Sequence, residues 1–353
     1  MCVSKVYSHH SKKLLIVVLL TALFFSCKMN PEQIDTIYEN KIIYGINDLC
    51  FINSKEGFLC GENGVILKTS DKGINWTHRS YPNYPWDNDE FLRLKFLDDS
   101  SGWAVGGTNN SEVSIYMTKN KTTWSKLSHN LIKGYCFDFA FSDKSNGFLL
   151  VLPIPFYRYE MNYYQPPPNL YHTVDGGITW SKMTLPDMYL KTIDFFNDSS
   201  GIMLASLNSY YTTFDAGKTW RYNKFEDKFE LRSIISTREA KFIFGNQNFF
   251  YKSYDNGKTW EKETINIVNP TLSSLYMNSP LDVSFIDAQT GAMLISESTE
   301  TSQTYLITRD GGLNWTRKLI RIEKNTMIRK LKLIDETNAV GSTYNRSIFR
   351  IKY

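Results

Sequence analysis

From residue 46 onward the chain repeats one arrangement of apolar and polar positions: an apolar run, a polar turn, then a second apolar run. Leu92-Arg93-Leu94-Lys95-Phe96-Leu97 leads into Asp98-Asp99-Ser100-Ser101-Gly102, and Trp103-Ala104-Val105-Gly106 resumes. Thr192-Ile193-Asp194-Phe195-Phe196, Asn197-Asp198-Ser199-Ser200-Gly201 and Ile202-Met203-Leu204 follow the same plan. The form returns around Phe51, Phe141, Ile235, Phe285 and Leu333, which makes seven units. Short runs of alternating character between Asp, Asn, Ser and Gly turns predict β-hairpins. The aromatic share of 15% points the same way, because flat ring side chains suit a pleated surface.

A second motif follows six of the seven units. Thr69-Ser70-Asp71-Lys72-Gly73-Ile74-Asn75-Trp76 returns as Thr173 to Trp180, Thr213 to Trp220, Ser253 to Trp260 and Thr308 to Trp315. A worn copy at Thr118 to Trp124 has Asn120 for Asp, lacks the Gly and is one residue short. Successive Trp residues stand 48, 56, 40, 40 and 55 positions apart, the period of a four-stranded propeller blade. In the common form Ser/Thr-x-Asp-x-Gly-x-Asn/Thr-Trp each type has a mechanical reason. Asp accepts backbone N–H bonds inside a turn, Gly supplies positive φ, and Trp packs a large ring beneath the turn against a neighbouring blade. Asp71, Gly73 and Trp76, Asn120 and Trp124, Asp175, Gly177 and Trp180, Asp215, Gly217 and Trp220, Asp255, Gly257 and Trp260, and Asp310, Gly312 and Trp315 are thus expected to be structural.

The motif resembles the Asp box, or BNR repeat. In proteins that carry it the box joins the third and fourth strands of a blade, away from the active face. At family level the chain is similar to the photosystem II assembly and stability factors, seven-bladed propellers in which strand pairs precede each box. The resemblance covers nearly all of the chain after residue 33, and it implies a fold more strongly than a function. The seventh unit, from Met327 to Tyr353, has three strands and no box. An unassigned apolar segment, Ile34 to Tyr44, precedes the first unit and is expected to supply the missing strand, closing the ring without an open edge. The expected architecture is all-β: one seven-bladed propeller over residues 34–353, its last blade closed by an N-terminal strand.

The first 33 residues read as an address. Lys5, Lys12 and Lys13 precede an apolar run from Leu14 to Phe25, which as a helix would span about 18 Å, too short for a bilayer core. Phe24-Phe25-Ser26-Cys27 resembles the lipobox of bacterial lipoproteins, with Phe24 where Leu is usual. That resemblance implies a signal peptide over 1–26, lipid on Cys27, a tether over 27–33, and a place in the cell envelope, at the outer membrane. An ordinary cleaved signal and an uncleaved anchor are the alternatives. Of the remaining thiols, Cys50 and Cys60 flank a hairpin and could sit opposite one another, a bridge that an oxidising compartment permits; three buried strand thiols, with Cys136, is the simpler reading.

Charge excludes some classes. Once the signal is removed, 37 basic residues face 36 acidic ones, which gives no electrostatic case for nucleic acid. His78, His129 and His172 are widely spaced, no Cys-x-x-Cys occurs, and no metal or cofactor site is expected. Gly217-Lys218-Thr219 and Gly257-Lys258-Thr259 lack the earlier Gly of a phosphate loop,. An oxidoreductase has no supporting motif. A sialidase would need an early Arg-Ile-Pro, and Arg321-Ile322 is followed by Glu323.

Extra length falls in four segments, Ser80 to Glu90, Leu152 to Asn169, Thr264 to Pro280 and Glu297 to Gln303. All are expected on one face, the top, opposite the boxes. Tyr84, Trp86 and Asp87 on the first, and Tyr157, Arg158, Tyr159, Glu160, Tyr163 and Tyr164 on the second, are candidate ligand contacts. Aromatics beside carboxylates and an Arg suit a protein partner or a glycan; the same rings could equally pack together and cap the channel. A non-catalytic binding or assembly module is the expected function. A glycoside hydrolase of Asp-box type, with Asp87, Asp89, Glu90 and Glu160 as candidate acids, is the alternative.

Overall fold

The computed structural model describes residues 45–78, 89–108, 111–127, 132–153, 167–185, 189–268, 280–299, 302–322, 327–343 and 346–352, with backbone alone at 33–34, 36–41 and 296–299. Residues Ile34–Tyr353 form one compact unit. Its strands make seven sheets arranged as a β-propeller, antiparallel except for one short strand added in parallel to blade six. Blade one holds Ile46–Phe51, Gly57–Gly61, Ile66–Thr69 and Thr77–His78. Blades two to six begin at Asp89, Tyr135, Thr192, Leu231 and Asp282, and blade seven at Ile328.

Blade seven is completed as the repeat count requires. Its own strands are Ile328–Asp335, Asn338–Thr343 and Ser347–Lys352; the fourth is Thr36–Lys41, antiparallel to the third, with Thr36 opposite Ile351 and Lys41 opposite Ser347. The blade therefore joins both ends of the ring.

Seven separate apolar clusters lie between the sheets, each drawing on two adjacent blades. Ile46, Leu49, Leu59 and Leu67 of blade one pack with Ile334, Val340 and Ile348 of blade seven. Phe58, Cys60 and Ile66 of blade one meet Phe91, Leu94 and Trp124 of blade two. The box tryptophans follow this scheme: Trp220 packs edge-on to Phe148 of the preceding blade at 5.6 Å, and Trp180 shares a cluster with Trp103. The ring is held by blade-to-blade burial of large rings, which contribute beyond their area through edge-to-face contact.

The boxes join third strands to fourth strands, as the motif implies. Asp215 Oδ1 accepts Thr219 N–H at 2.9 Å, and its Oδ2 accepts the Thr219 hydroxyl at 2.6 Å. Thr213 Oγ1 donates to Asp215 at 2.8 Å and accepts Gly217 N–H at 2.8 Å. Asp71, Asp175, Asp255 and Asp310 repeat these bonds. In the worn copy Asn120 Oδ1 accepts Thr122 and Thr123 N–H instead. One feature escapes the sequence pattern: the residue before the Gly is also left-handed. Ala216 has φ 61 ahead of Gly217 at 83, whereas Gly176 and Gly311 fill that place in blades three and six. A Cβ at Gly217 would fall on the Phe148 ring. Gly217→Ala is thus expected to cost about 2–3 kcal/mol. Ala216→Gly should stabilise by about 0.5–1 kcal/mol, because a Cβ is costly in that conformation. Chemical denaturation of the pair checks both signs.

The box carboxylates also set a pH dependence. The hydroxyl of Thr179 and surrounding N–H groups hold Asp175 down to about 2. Asp215 is lowered mainly by Thr219, and the bonds made by Asp71, Asp255 and Asp310 outweigh a burial penalty and lower them too. A carboxyl with a lower folded than unfolded pKa adds stability above about pH 4, lost as pH falls through the folded value. Melting temperature should therefore hold from pH 7 to about 5 and drop between about pH 4 and 2. A profile flat to pH 2 would contradict the box bonding.

The cysteine expectation needs correction in one respect. Cys50 pairs with Phe58 and Cys60 with Asp48, so the two are diagonal rather than opposite. Cys50, Cys60 and Cys136 are free thiols. Burial pushes the Cys60 and Cys136 thiols well up.

Candidate binding site in the axial channel

The innermost strands line a cavity of about 720 Å³ on the ring axis. Each blade gives it one residue at the same register: Asp48, Arg93, Asp138, Thr192, Ser233, Asp282 and Lys330. Their placement is built into the strands. In five blades the register slips one residue just before this position, at Ile46/Asp48, Phe91/Arg93, Cys136/Asp138, Leu231/Ser233 and Ile328/Lys330. Such bulges re-aim a side chain. Here they let Ile46, Phe91, Cys136, Leu231 and Ile328 stay buried while the next residue but one faces the axis.

The acids of this ring are committed to the fold. Asp48 Oδ2 accepts Leu94 N–H at 3.0 Å, Asp138 Oδ2 accepts Ile193 N–H at 3.0 Å, and Asp282 Oδ2 accepts Leu331 N–H at 2.9 Å. Each is one carboxylate stapling its blade to the innermost strand of the next. Asp138 also takes the Thr192 hydroxyl at 2.6 Å and faces Lys95 Nζ at 3.1 Å and Arg93 Nε at 3.9 Å. Burial pushes its carboxyl up, but Lys95, Arg93 and these bonds outweigh that and hold it below the usual range. Asp194, nearer the box face, lacks such a set, and burial leaves its carboxyl raised.

The bases are less fully matched. Lys95 is fixed by Phe139 and Ile193 carbonyls at 2.7 and 3.0 Å. Toward the top, Lys191 and Arg232 share Glu230 at 2.9 and 3.2 Å. Lys332 is 3.9 Å from Asp282. Burial, with Arg93 and Lys332 nearby, lowers the Lys330 ammonium in spite of Asp282 and Asp48. The wall carries Arg93, Lys95, Lys191, Arg232, Lys330 and Lys332 against Asp48, Asp138, Glu230 and Asp282. Six cations against four anions leave an excess of positive charge in a concave, partly dehydrated space, where it acts on a ligand more strongly than on an open surface.

Two of the four long insertions contain described, regular segments. Asn266–Val268 adds to blade six in parallel, with Ile267 opposite Trp315. The blade-six insertion is a continuation of strands Gly291–Thr299 and Ser302–Thr308. There Gln303 is fully buried and spans the seam to blade seven, its Oε1 accepting Ile328 N–H at 2.7 Å. Asp89 and Glu90 are not loop residues; they open the innermost strand of blade two. Asp89 is buried with Lys126 at 2.9 Å and Ser114 at 2.6 Å, and Glu90 accepts the Asn47 amide at 3.1 Å. Neither is placed as a hydrolytic acid. Cys27, Tyr84, Trp86, Asp87, Tyr157, Arg158, Tyr159, Glu160, Tyr163 and Tyr164 lie outside the described residues. Among the described residues no group of three His, Cys, Asp or Glu could hold a metal ion, and no helix is long and apolar enough to cross a membrane.

Comparison with known proteins agrees with this geometry. The BNR/Asp-box repeat family model matches residues 171–182, the box of blade three. No protein of curated function matches the sequence. Among solved structures, YCF48 bound to D1 peptide aligns with 92% of this chain and 96% of its own, at 16% identity and a TM-score of 0.60. YCF48 from Cyanidioschyzon merolae aligns with 89% and 98% at 14% identity and a TM-score of 0.57. The Cps50 (Swd1) β-propeller domain of Myceliophteria thermophila aligns with 91% and 99% at 6% identity and a TM-score of 0.65. At these identities the likeness is one of fold. The chain carries the Asp-box repeat and shares the propeller fold of YCF48.

Proposed function

We propose that this chain is a lipid-anchored envelope protein whose propeller holds an acidic, extended segment of a protein partner at the top mouth of its channel. The observation that carries the reading is the division of labour on the channel wall. Asp48, Asp138 and Asp282 are spent on backbone N–H groups of the next blade. Lys330 and Lys332 flank the Leu331 that Asp282 staples, and among the described residues their nearest carboxylate contact is the 3.9 Å between Lys332 and Asp282. A peptide carboxylate entering from the top would meet them in a space large enough for a few residues,. That YCF48 has been solved with a peptide supports a peptide rather than a small metabolite. A glycoside hydrolase is not favoured, since Asp89 and Glu90 are both held in the body of blade two. The lipobox-like Phe24-Phe25-Ser26-Cys27 supports signal cleavage before Cys27, a tether to residue 33 and an outer-membrane address.

Binding of fluorescent acidic and basic peptide libraries to the full-length protein tests the reading. Acidic peptides should bind with strong salt dependence, and Lys330→Glu with Lys332→Glu should weaken them by at least about tenfold. Equal binding of basic peptides, or a glycan ligand indifferent to both substitutions, would overturn it. Cys27→Ala should release the protein from membranes; full retention would remove the anchor from the proposal.

A further inference from the structure

The box face carries a surface that the fold does not need. Within each box, Asp, Gly, Trp and the leading Ser/Thr make the turn, whereas the second and sixth positions point outward. Blades one and two place Ser70 and Lys119 at the second position. Blades three to five place Val174, Phe214 and Tyr254 there, exposed by 69%, 45% and 58%. The sixth position adds Ile178 in blade three and Leu313 in blade six, and exposed Lys218 and Lys258 between them. Four consecutive blades thus present an apolar and aromatic arc on one face, with ammonium groups set within it. Nothing in the turn mechanics calls for apolar residues at these places.

The closing strand begins at that same face, after Gln33–Ile34 has paired with the fourth strand of blade six. In blades one to six every fourth strand starts where its box ends, as Arg221 does opposite Thr212. Thr36–Lys41 is the fourth strand of blade seven, with Thr36 opposite Ile351. Thr36 therefore lies at the box side, and the strand runs from there toward the top. Cys27 is six residues before Gln33, a reach of about 20 Å even when fully extended.

We propose that the box face of blades three to six rests on the bilayer that holds the lipid of Cys27, with the arc of Val174, Ile178, Phe214, Tyr254 and Leu313 at the headgroup level. This inference rests on the anchoring part of the function proposed above. An arc of Phe, Tyr and aliphatic side chains flanked by Lys has the composition of an interfacial surface, in which rings enter the headgroup region and ammonium groups meet lipid phosphates. The orientation leaves the channel mouth facing away from the membrane, open to a partner.

The test uses the lipidated full-length protein in phosphatidylethanolamine–phosphatidylglycerol vesicles that contain nitroxide-labelled lipid. A nitrobenzoxadiazole fluorophore is placed at Phe214→Cys on the box face, or at Leu207→Cys, an exposed position in the second-to-third strand turn of blade four. The label at position 214 should lose most of its emission, and that at 207 should keep it. Co-sedimentation with equal quenching at both sites, or stronger quenching at 207, overturns the orientation while the anchor stands. Failure of the protein to co-sediment overturns the anchor, and the orientation with it. A second readout is independent of any substitution: vesicle binding should protect Lys218 and Lys258 from an amine-reactive reagent. Their full reactivity on vesicles overturns the proposal.

Discussion

Removing residues 34–44 is expected to lower the melting temperature by about 10–20 °C. The segment contributes strand Thr36–Lys41, paired at five positions with Ser347–Lys352. At a net value near 1 kcal/mol for each backbone hydrogen bond, its loss costs about 5 kcal/mol, and for a domain of this size each kcal/mol shifts the midpoint by about 2–4 °C. The exposed edge adds a second signature. Ile348, Phe349 and Ile351 are buried in the intact ring, and an unpaired strand of that composition recruits other chains. The truncated protein should form concentration-dependent oligomers. A peptide of residues 34–44 added in trans should restore the melting temperature as a ligand does, in proportion to the logarithm of its concentration. An unchanged midpoint would mean that the ring does not depend on this closure.

Asp138→Ala should destabilise by about 3–5 kcal/mol, the cost of leaving a buried opposite charge unmatched. The carboxylate is 3% exposed and serves Lys95, Arg93, Thr192 Oγ1 and Ile193 N–H together. Its loss opens the seam between blades three and four and strands two cations. Adding Lys95→Met to Asp138→Ala should recover part of the loss, because the pair can be replaced more easily than it can be broken. Asp282→Ala is the graded comparison. It staples Leu331 in the same way, but its side chain is 11% exposed and its cation is 3.9 Å away, so the cost should be nearer 2 kcal/mol. Urea titration of the three variants ranks them. Equal effects at both seams would mean that the channel charges do not act through these staples.

The architecture was legible because the repeat is redundant. Six boxes and seven strand pairs specify blade number, and the arithmetic of one missing and one spare strand specifies closure. The site was legible only in part. Aromatics on long insertions draw attention in a sequence, but the channel residues look like ordinary members of alternating strands. Arg93 and Lys95, or Lys330 and Lys332, read as the solvent side of a strand. Only ring closure turns that side inward. A signal did exist: Asp, Arg, Asp, Asp and Lys recur three residues before one apolar position of the innermost strand, Phe51, Phe96, Phe141, Phe285 and Leu333, in blades one, two, three, six and seven. Aligning the seven units by that residue would have picked out the ring. The bulges have no such signal, since one extra residue leaves the composition unchanged. Asp89 and Glu90 illustrate the opposite error: polarity next to an insertion suggested a loop, yet Asp89 is 2% exposed.

With the anchor proposed for Cys27, the closing strand would also be where this protein bears load. Ahead of Thr36 the chain is held once more, where Gln33–Ile34 pairs with the fourth strand of blade six, Asn314–Arg321. Tension between an anchored end and a partner at the opposite face would pull Thr36–Lys41 lengthwise along Ser347–Lys352. All the bonds between the two strands would then be strained together, in shear, rather than opened singly from one end. A join that pairs the first and last strands of blade seven is thereby also a mechanical clamp against a lengthwise pull.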